Sequence, residues 1–322
     1  MDYVLFVLAR GLVALLQALP LRSVARLGRA GGALAYVFDA RHRRVALNNL
    51  AMCFGREKSV PELRELGREN FKRIGESYAC AIKTAAMSAE ALRSHVEFVV
   101  PPAVSSQPGG GPADNLVVAI GHFGNFELYA RFGDFVPGYQ CVTTYRGLRQ
   151  PLLNQLLQSL RERSGCLFFE RRFEAAALKA TMNQSGILLG LLADQHAGQG
   201  GLRLPFLDHE CSTSAAPAIF ALRYHSALYT AVCYRVGLAQ WRVEAGEQIP
   251  THEGMRPRPA SEIMLDVNRA FEAAVRRDPA NWFWVHKRWK QSAMRSRQRD
   301  ISSQESEAQS PQEGPQSPVA GY

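Results

Sequence analysis

The chain runs to 322 residues, 47% of them hydrophobic and 21% charged; these proportions exclude a wholly disordered, collagen-like or coiled-coil chain and leave room for one large α/β domain or two small ones. Lys and Arg number 38 against 29 Asp and Glu, a formal net charge of +9 that suits an anionic partner such as nucleic acid, a membrane face or a phosphorylated substrate. The 6 cysteines are scattered without a C-x-x-C pair and read as reduced thiols, against both a disulfide framework and a zinc ribbon.

Tyr3 to Leu19 is apolar apart from Arg10 and Gln17, and Pro20 ends the run. A helix of this length reaches roughly 25 Å, short of a hydrocarbon core of about 30 Å. No basic residue precedes it, as a signal peptide would require, and Arg10 is costly in mid-span. A helix in the membrane interface, a short span and a buried core helix all remain open. Arg22, Arg26, Arg29, Arg41, Arg43 and Arg44 come next, with Asp39 the only acid among them. Such a cluster is drawn to anionic headgroups and keeps the downstream chain cytoplasmic. The expectation is a membrane-associated helix over residues 1–20 and a catalytic domain on the cytoplasmic face.

The first hundred residues read as helical, with Pro61 to Lys83 apolar at Leu63, Leu66, Phe71, Ile74, Tyr78 and Ile82, near helical spacing. A Pro/Gly/Ser loop spans 105–112. From Asn115 short apolar runs alternate with helical patterns, the signature of an α/β fold. Leu116 to Ile120, Gly186 to Ala193 and Leu228 to Val236 are strand candidates. Pro151 to Arg163 is an amphipathic helix whose Leu152, Leu153, Leu156, Leu157 and Leu160 form its inner face. Beyond Lys290 apolar residues almost vanish, which predicts a disordered tail over 291–322. The domain proper is placed at 21–290.

The chemistry is expected where the first candidate strand becomes a turn, at Gly121-His122-Phe123-Gly124-Asn125-Phe126-Glu127. Strand ends in open α/β sheets are where ligands bind. Asn125 can cap a following helix. A bond from Glu127 to one ring nitrogen of His122 leaves the other free to take a proton from a hydroxyl. The Gly121 and Gly124 N–H groups can approach a developing oxyanion. By spacing alone, a histidine that only satisfies a turn fits as well.

That segment resembles the H-x4-D/E motif of the lipid A biosynthesis late acyltransferases, the lauroyl and myristoyl transferase family. Other stretches are similar in the same order. They are Arg41 to Leu50 with Asn48-Asn49-Leu50, Tyr145-Arg146 followed by Arg161-Glu162-Arg163-Ser164-Gly165, Leu191-Leu192-Ala193-Asp194-Gln195 followed by Leu204-Pro205-Phe206, and Asp278 to Lys290. The resemblance runs from about residue 3 to 290. It implies a mixed central sheet flanked by helices, of the glycerolipid acyltransferase type, in an inner-membrane enzyme active on the cytoplasmic side. The reaction implied carries a fatty acyl chain from acyl carrier protein to a hydroxyl of a phosphorylated glucosamine lipid, with no cofactor. His122 is then the general base and Glu127 its partner. Arg146, Arg161 and Arg163 map onto positions that hold phosphate or sugar-acid groups, and Asp194 and Gln195 onto a substrate-site block. Departures at Leu207-Asp208-His209-Glu210-Cys211 and Ala197 to Gly201 are expected to flank the substrate cleft. They keep open other acceptors, such as a mannosylated inositol lipid, and acyl-CoA as donor.

Rival classes lack their marks. There is no Gly-x-Ser-x-Gly, no Gly-x-x-x-x-Gly-Lys, no dinucleotide fingerprint and no paired Cys/His metal ligands. The phosphate-binding block of glycerophosphate acyltransferases is missing, and the charge falls into no nucleic-acid module. A non-catalytic lipid-binding protein is the remaining alternative. Trp282, Trp284 and Trp289 are placed near one helical face, as core or interface belt. His286, Lys287, Arg288 and Lys290 read equally as a solvated face or a membrane-facing basic patch.

Overall fold

Helix starts are written into the first 84 residues. Pro20 separates α1 (Asp2–Ala18) from α2 (Leu21–Phe38), and the Asp39 carboxylate accepts from the His42 N–H (3.0 Å) at the start of α3 (Ala40–Phe54). At α4 (Val60–Thr84) the Ser59 N–H donates to Glu62 (2.7 Å), a capping box with Pro61 in the first turn. The computed structural model describes residues 2–105 and 114–290; the tail expected over 291–322 and most of the Pro/Gly loop lie outside them.

Helix α5 (Ala89–Arg93) leads into β1 (Val96–Val99), a strand that the helical reading of the first hundred residues missed, and into α6 (Pro102–Ser105). Then come β2 (Leu116–Ile120), a 3-10 helix (Phe126–Asp134), β3 (Gln140–Tyr145), α7 (Pro151–Glu162), β4 (Leu167–Glu170), α8 (Ala175–Met182) and β5 (Ile187–Leu192). The hairpin β6 (Leu202–Phe206) and β7 (His209–Thr213), α9 (Ala216–Arg223), β8 (Ala227–Gly237), β9 (Gln240–Ala245) and α10 (Ala260–Arg277) complete the core elements.

The main sheet has seven strands in the order β1-β9-β8-β2-β5-β3-β4; β8 and β9 run antiparallel and the other neighbours parallel. The fold is therefore mixed α/β with a central sheet flanked by helices. Alternate residues of the central strands divide between its faces. Val117, Ala119, Leu189 and Leu191 join the core that also holds Ile263, Val267 and Phe271 of α10. Val118, Ile120 and Leu188 face the other way, with Phe132 of the 3-10 helix.

The helical portion is tied to the sheet by charge as well as packing. Buried Glu76 of α4 accepts from Arg29 of α2 (3.3 Å), Arg235 of β8 (2.8 Å) and the Ala239 N–H (2.9 Å). A buried carboxylate with this many donors is compensated, and removing one donor would leave it exposed to its desolvation cost.

Two readings of the C-terminal block change. Trp282, Trp284 and Trp289 follow a 3-10 turn (Pro279–Asn281) on an irregular, turn-rich stretch, and all three enter the core at 1%, 0% and 4% exposure. Arg288 is fully buried and donates to the Gln195 carbonyl (2.5 Å), the Ser212 carbonyl (2.8 Å) and Thr213 Oγ1 (2.9 Å), so it is a structural clamp; Lys287 and Lys290 stay exposed. Asn49 Nδ2 donates to the Trp284 and His286 carbonyls (2.8 and 2.9 Å), docking two distant sequence blocks on each other.

Candidate active site

Strand β2 ends at Ile120, and the next residues turn sharply at the C-terminal edge of the sheet. Phe123 N–H donates back to the Gly121 carbonyl (2.9 Å), which throws the His122 side chain out over that edge. Gly124 follows at φ +50; a Cβ there would sit 2.5 Å from the Cys233 carbonyl oxygen, so no other residue fits the turn.

His122 meets its partner across the sheet. β5 runs beside β2 in parallel and ends two residues before Asp194, so both residues leave neighbouring strands at the same edge. The Asp194 carboxylate, fully buried, accepts from His122 Nδ1 (2.7 Å), from the His122 N–H (2.7 Å) and from Trp282 Nε1 (2.8 Å). Burial by itself pushes that carboxyl pKa up. The facing imidazole and the three donated hydrogen bonds outweigh it, and the net direction is down. Asp194 is therefore the charged acceptor that holds the proton on Nδ1, and Nε2 is left with the free lone pair.

This replaces the expected Glu127 contact. Glu127, in the first turn of the 3-10 helix, accepts from Arg161 Nε (3.2 Å) and Arg161 Nη2 (2.7 Å). The tighter 3-10 winding and the Arg161 fork turn its carboxylate toward α7. Arg161 in turn lies over the Phe168 ring (4.9 Å) and the Tyr145 ring (6.0 Å). Phe126 and Phe283 flank His122, with ring centroids 4.9 and 6.0 Å away.

His122 and Glu127 both open onto a cavity of about 1830 Å³, which also takes in Arg146, Arg161 and Gln195. Gly121, Gly124, Asn125 and Arg163 do not line it. The backbone donors expected for an oxyanion are committed elsewhere: Gly121 N–H points to the Ala231 carbonyl (3.5 Å) and Gly124 N–H to the Asn281 carbonyl (3.1 Å). Asn125 is buried and makes no side-chain cap; its Nδ2 faces Thr84 Oγ1 (3.4 Å). The divergent stretch Leu207 to Cys211 also lies away from the cavity, on the β6–β7 hairpin, where Leu207 and Asp208 form a turn with positive φ at both positions. Of the other divergent stretch, Ala197 does line the cavity.

The cavity runs along the sheet face that α10 does not cover. Over the sheet it is roofed by α7, whose Leu153, Leu156, Leu157 and Leu160 face it with no residue of α7 buried, and it extends between Leu12 and Leu15 of α1, Gly28 and Gly32 of α2, and Ile74 and Tyr78 of α4. A leucine stripe left unburied in this way looks into space that an apolar ligand can fill. His286, at the mouth, is kept neutral by burial, its pKa pushed down to about 4. Cys166, which also lines the cavity, has its thiol pushed well up by burial, which is the wrong direction for a nucleophile. Among the described residues no group of three His, Cys, Asp or Glu could hold a metal ion.

Sequence reasoning found His122 and the cavity-lining arginines and gave Asp194 a substrate role. It missed Asp194 as the histidine's partner and Trp282 as the donor that holds it, because separations of 72 and 88 residues leave no local trace. No curated protein matches this chain. A family model described as bacterial lipid A biosynthesis acyltransferase matches residues 1–291.

Proposed function

Since the chain belongs to the bacterial lipid A biosynthesis acyltransferase family, and so transfers an acyl group from a donor to a lipid acceptor, we propose a specific reaction: a fatty acyl chain moves from an acyl carrier protein thioester to a hydroxyl of a phosphorylated glucosamine lipid. The observation that carries this reading is the buried Asp194 carboxylate on His122 Nδ1, beside a long apolar cavity. His122 Nε2 takes the proton of the acceptor hydroxyl as its oxygen attacks the thioester carbonyl. The tetrahedral intermediate collapses, the C–S bond breaks, and the imidazolium returns its proton to the departing thiolate. Asp194 stabilises the imidazolium while it exists.

Arg146 and Arg161 line the cavity, where the Arg146 fork and the remaining Arg161 amino group suit phosphate oxygens. Glu127 contributes through Arg161, fixing its guanidinium beside the reacting atoms. The apolar cavity takes the acyl chain.

Membrane attachment through α1 belongs to the same proposal. Tyr3, Val4 and Leu8 on that helix are 70%, 63% and 66% exposed, while Leu12 and Leu15 line the cavity and Leu16 is the helix's buried residue. Leu34, Val37 and Phe38 extend the apolar surface along α2. Among the described residues no helix is long and apolar enough to cross a membrane. The reading is of α1 lying in the interface, with its outward face in the headgroup region of the inner membrane's cytoplasmic leaflet.

The test is transfer of labelled acyl groups from acyl carrier protein, with purified protein in detergent, to a panel that includes a lipid A precursor and mannosylated inositol lipids. Transfer to the precursor that falls by about 10³ or more in His122→Ala supports the reading. Transfer undiminished in that variant refutes the role of His122. A wild-type protein that is folded and transfers to no acceptor refutes the substrate.

A further inference from the structure

Strand register on the cavity face lines up in three rungs, and this deepens the transferase reading on which it rests. Nearest His122, the residues Ala231, Ile120 and Leu192 sit side by side on β8, β2 and β5. Two residues further back, Tyr229, Val118, Gly190 and Thr143 form the second rung. Two further still, Leu116, Leu188 and Cys141 form the third. All ten residues line the cavity. Strand geometry sets successive rungs about 6.6 Å apart and the third rung roughly 20 Å from His122.

The rungs differ in height. In the second, Gly190 has no side chain, and a Cβ built there would meet the tip of Ile120, its Cδ1, at 2.7 Å. Thr143 turns its hydroxyl to the Gly190 carbonyl (2.7 Å), so its methyl is left for the cavity. In the third, Leu116, Leu188 and Cys141 all carry side chains, and Val104 of α6 belongs to the same buried cluster and also lines the cavity. The second rung is therefore low at Gly190, with Ile120 lying over it, while the third carries a side chain at each position beside Val104.

We propose that these rungs measure the acyl chain. Gly190 lets the Ile120 side chain lie back against the sheet and so keeps the passage past the second rung open, and Leu116, Leu188 and Cys141 form the floor against which the chain's terminal methyl stops. The rungs are specificity-determining residues that touch the substrate far from the reacting carbon. One rung spans about five methylenes of an extended chain. A methylene that finds no room in the slot costs about fourfold in kcat/KM.

The experiment is a length profile: kcat/KM for acyl carrier protein donors of graded chain length, with the lipid A precursor as acceptor, for the full chain and for Gly190→Val and Leu188→Ala. Gly190→Val should move the optimum about four to six carbons shorter, with kcat/KM at the new optimum within about threefold of the parent. Leu188→Ala should move it roughly two carbons longer. Melting temperatures identify a variant that has failed to fold; Gly190→Ala, with its smaller intrusion on Ile120, then takes its place. Folded variants that keep the parent profile, or a Gly190 variant that loses rate equally at every length, overturn the proposal while the transferase reading stands. A parent protein that transfers no acyl group to any acceptor fails the transferase reading itself.

Discussion

The two faces of the central sheet are made by the same strands and put to opposite uses. On the α10 side Val117, Ala119, Leu189 and Leu191 are packed to between 0% and 6% exposure against helix side chains. On the other side Val118, Gly190 and Leu188 look into a cavity of about 1830 Å³ roofed by α7. Packing density is near its ceiling in a protein core, so a space of this size along one face is not an accident of loose packing. A glycine in mid-strand and a leucine stripe with no buried residue line it. An apolar strand position therefore has two physical meanings here, filling a core or lining a slot, and composition does not separate them.

The largest effect expected falls at the edge where the faces meet. Asp194→Asn keeps the shape but presents an amide N–H to donors that need an acceptor, His122 Nδ1, the His122 N–H and Trp282 Nε1. The imidazole loses the partner that fixes its proton and stabilises its charge. A loss of about 10³ in kcat is expected with the acyl-length optimum unmoved. A variant that retains more than a tenth of the parent rate would show that Asp194 does not govern the base.

On the packed face the readout changes from rate to stability. Leu189 is fully buried, and Leu189→Ala should cost about 2–5 kcal/mol. In a domain of this size that lowers the melting temperature by about 5–15 °C. Its acyl-length profile should match the parent's. Leu188, the next residue, is also buried but faces the slot, so truncation there should change the profile as well as the melting temperature. Should Leu189→Ala move the length optimum, the two faces are coupled and the division between core and slot fails.

How much of this was legible depended on the range of the interaction. Local signals were read well: the helical spacing from Pro61 to Lys83 that became α4, Pro151 opening α7, and the apolar runs that became β2, β5 and β8. The leucine stripe of α7 was visible, but not what it faces, because a slot is an absence assembled from many strands and helices. Long-range partners were hidden for the same reason. The His122–Asp194 bond needs β2 and β5 to lie side by side, and nothing within either segment specifies that pairing. Glu127 misled because it is close in sequence; the 3-10 winding and Arg161 redirect it. Arg288 misled because its neighbours Lys287 and Lys290 are exposed, while its guanidinium finds three buried acceptors.

The smallest expected effect is a titration at the cavity mouth, and its sign comes from burial. His286 is surrounded by Asp194, His122, Arg288 and His196, and removal from water is the largest influence on it; the cations and imidazoles add to that against the pull of Asp194. In the folded chain it stays neutral down to about pH 4, whereas unfolded it binds a proton below about 6.5. The unfolded state thus takes up the extra proton between those values. The stabilisation is whole above about pH 6.5 and drains away as pH falls toward 4. Its size is on the order of 2 kcal/mol. Melting curves from pH 7 to 4.5 should therefore slope less steeply for His286→Phe than for the parent. Asp194, whose carboxyl pKa is depressed, adds its own loss only at lower pH, so it does not mask the difference. Parallel curves would mean that His286 is hydrated in the folded protein, and with it the mouth of the slot.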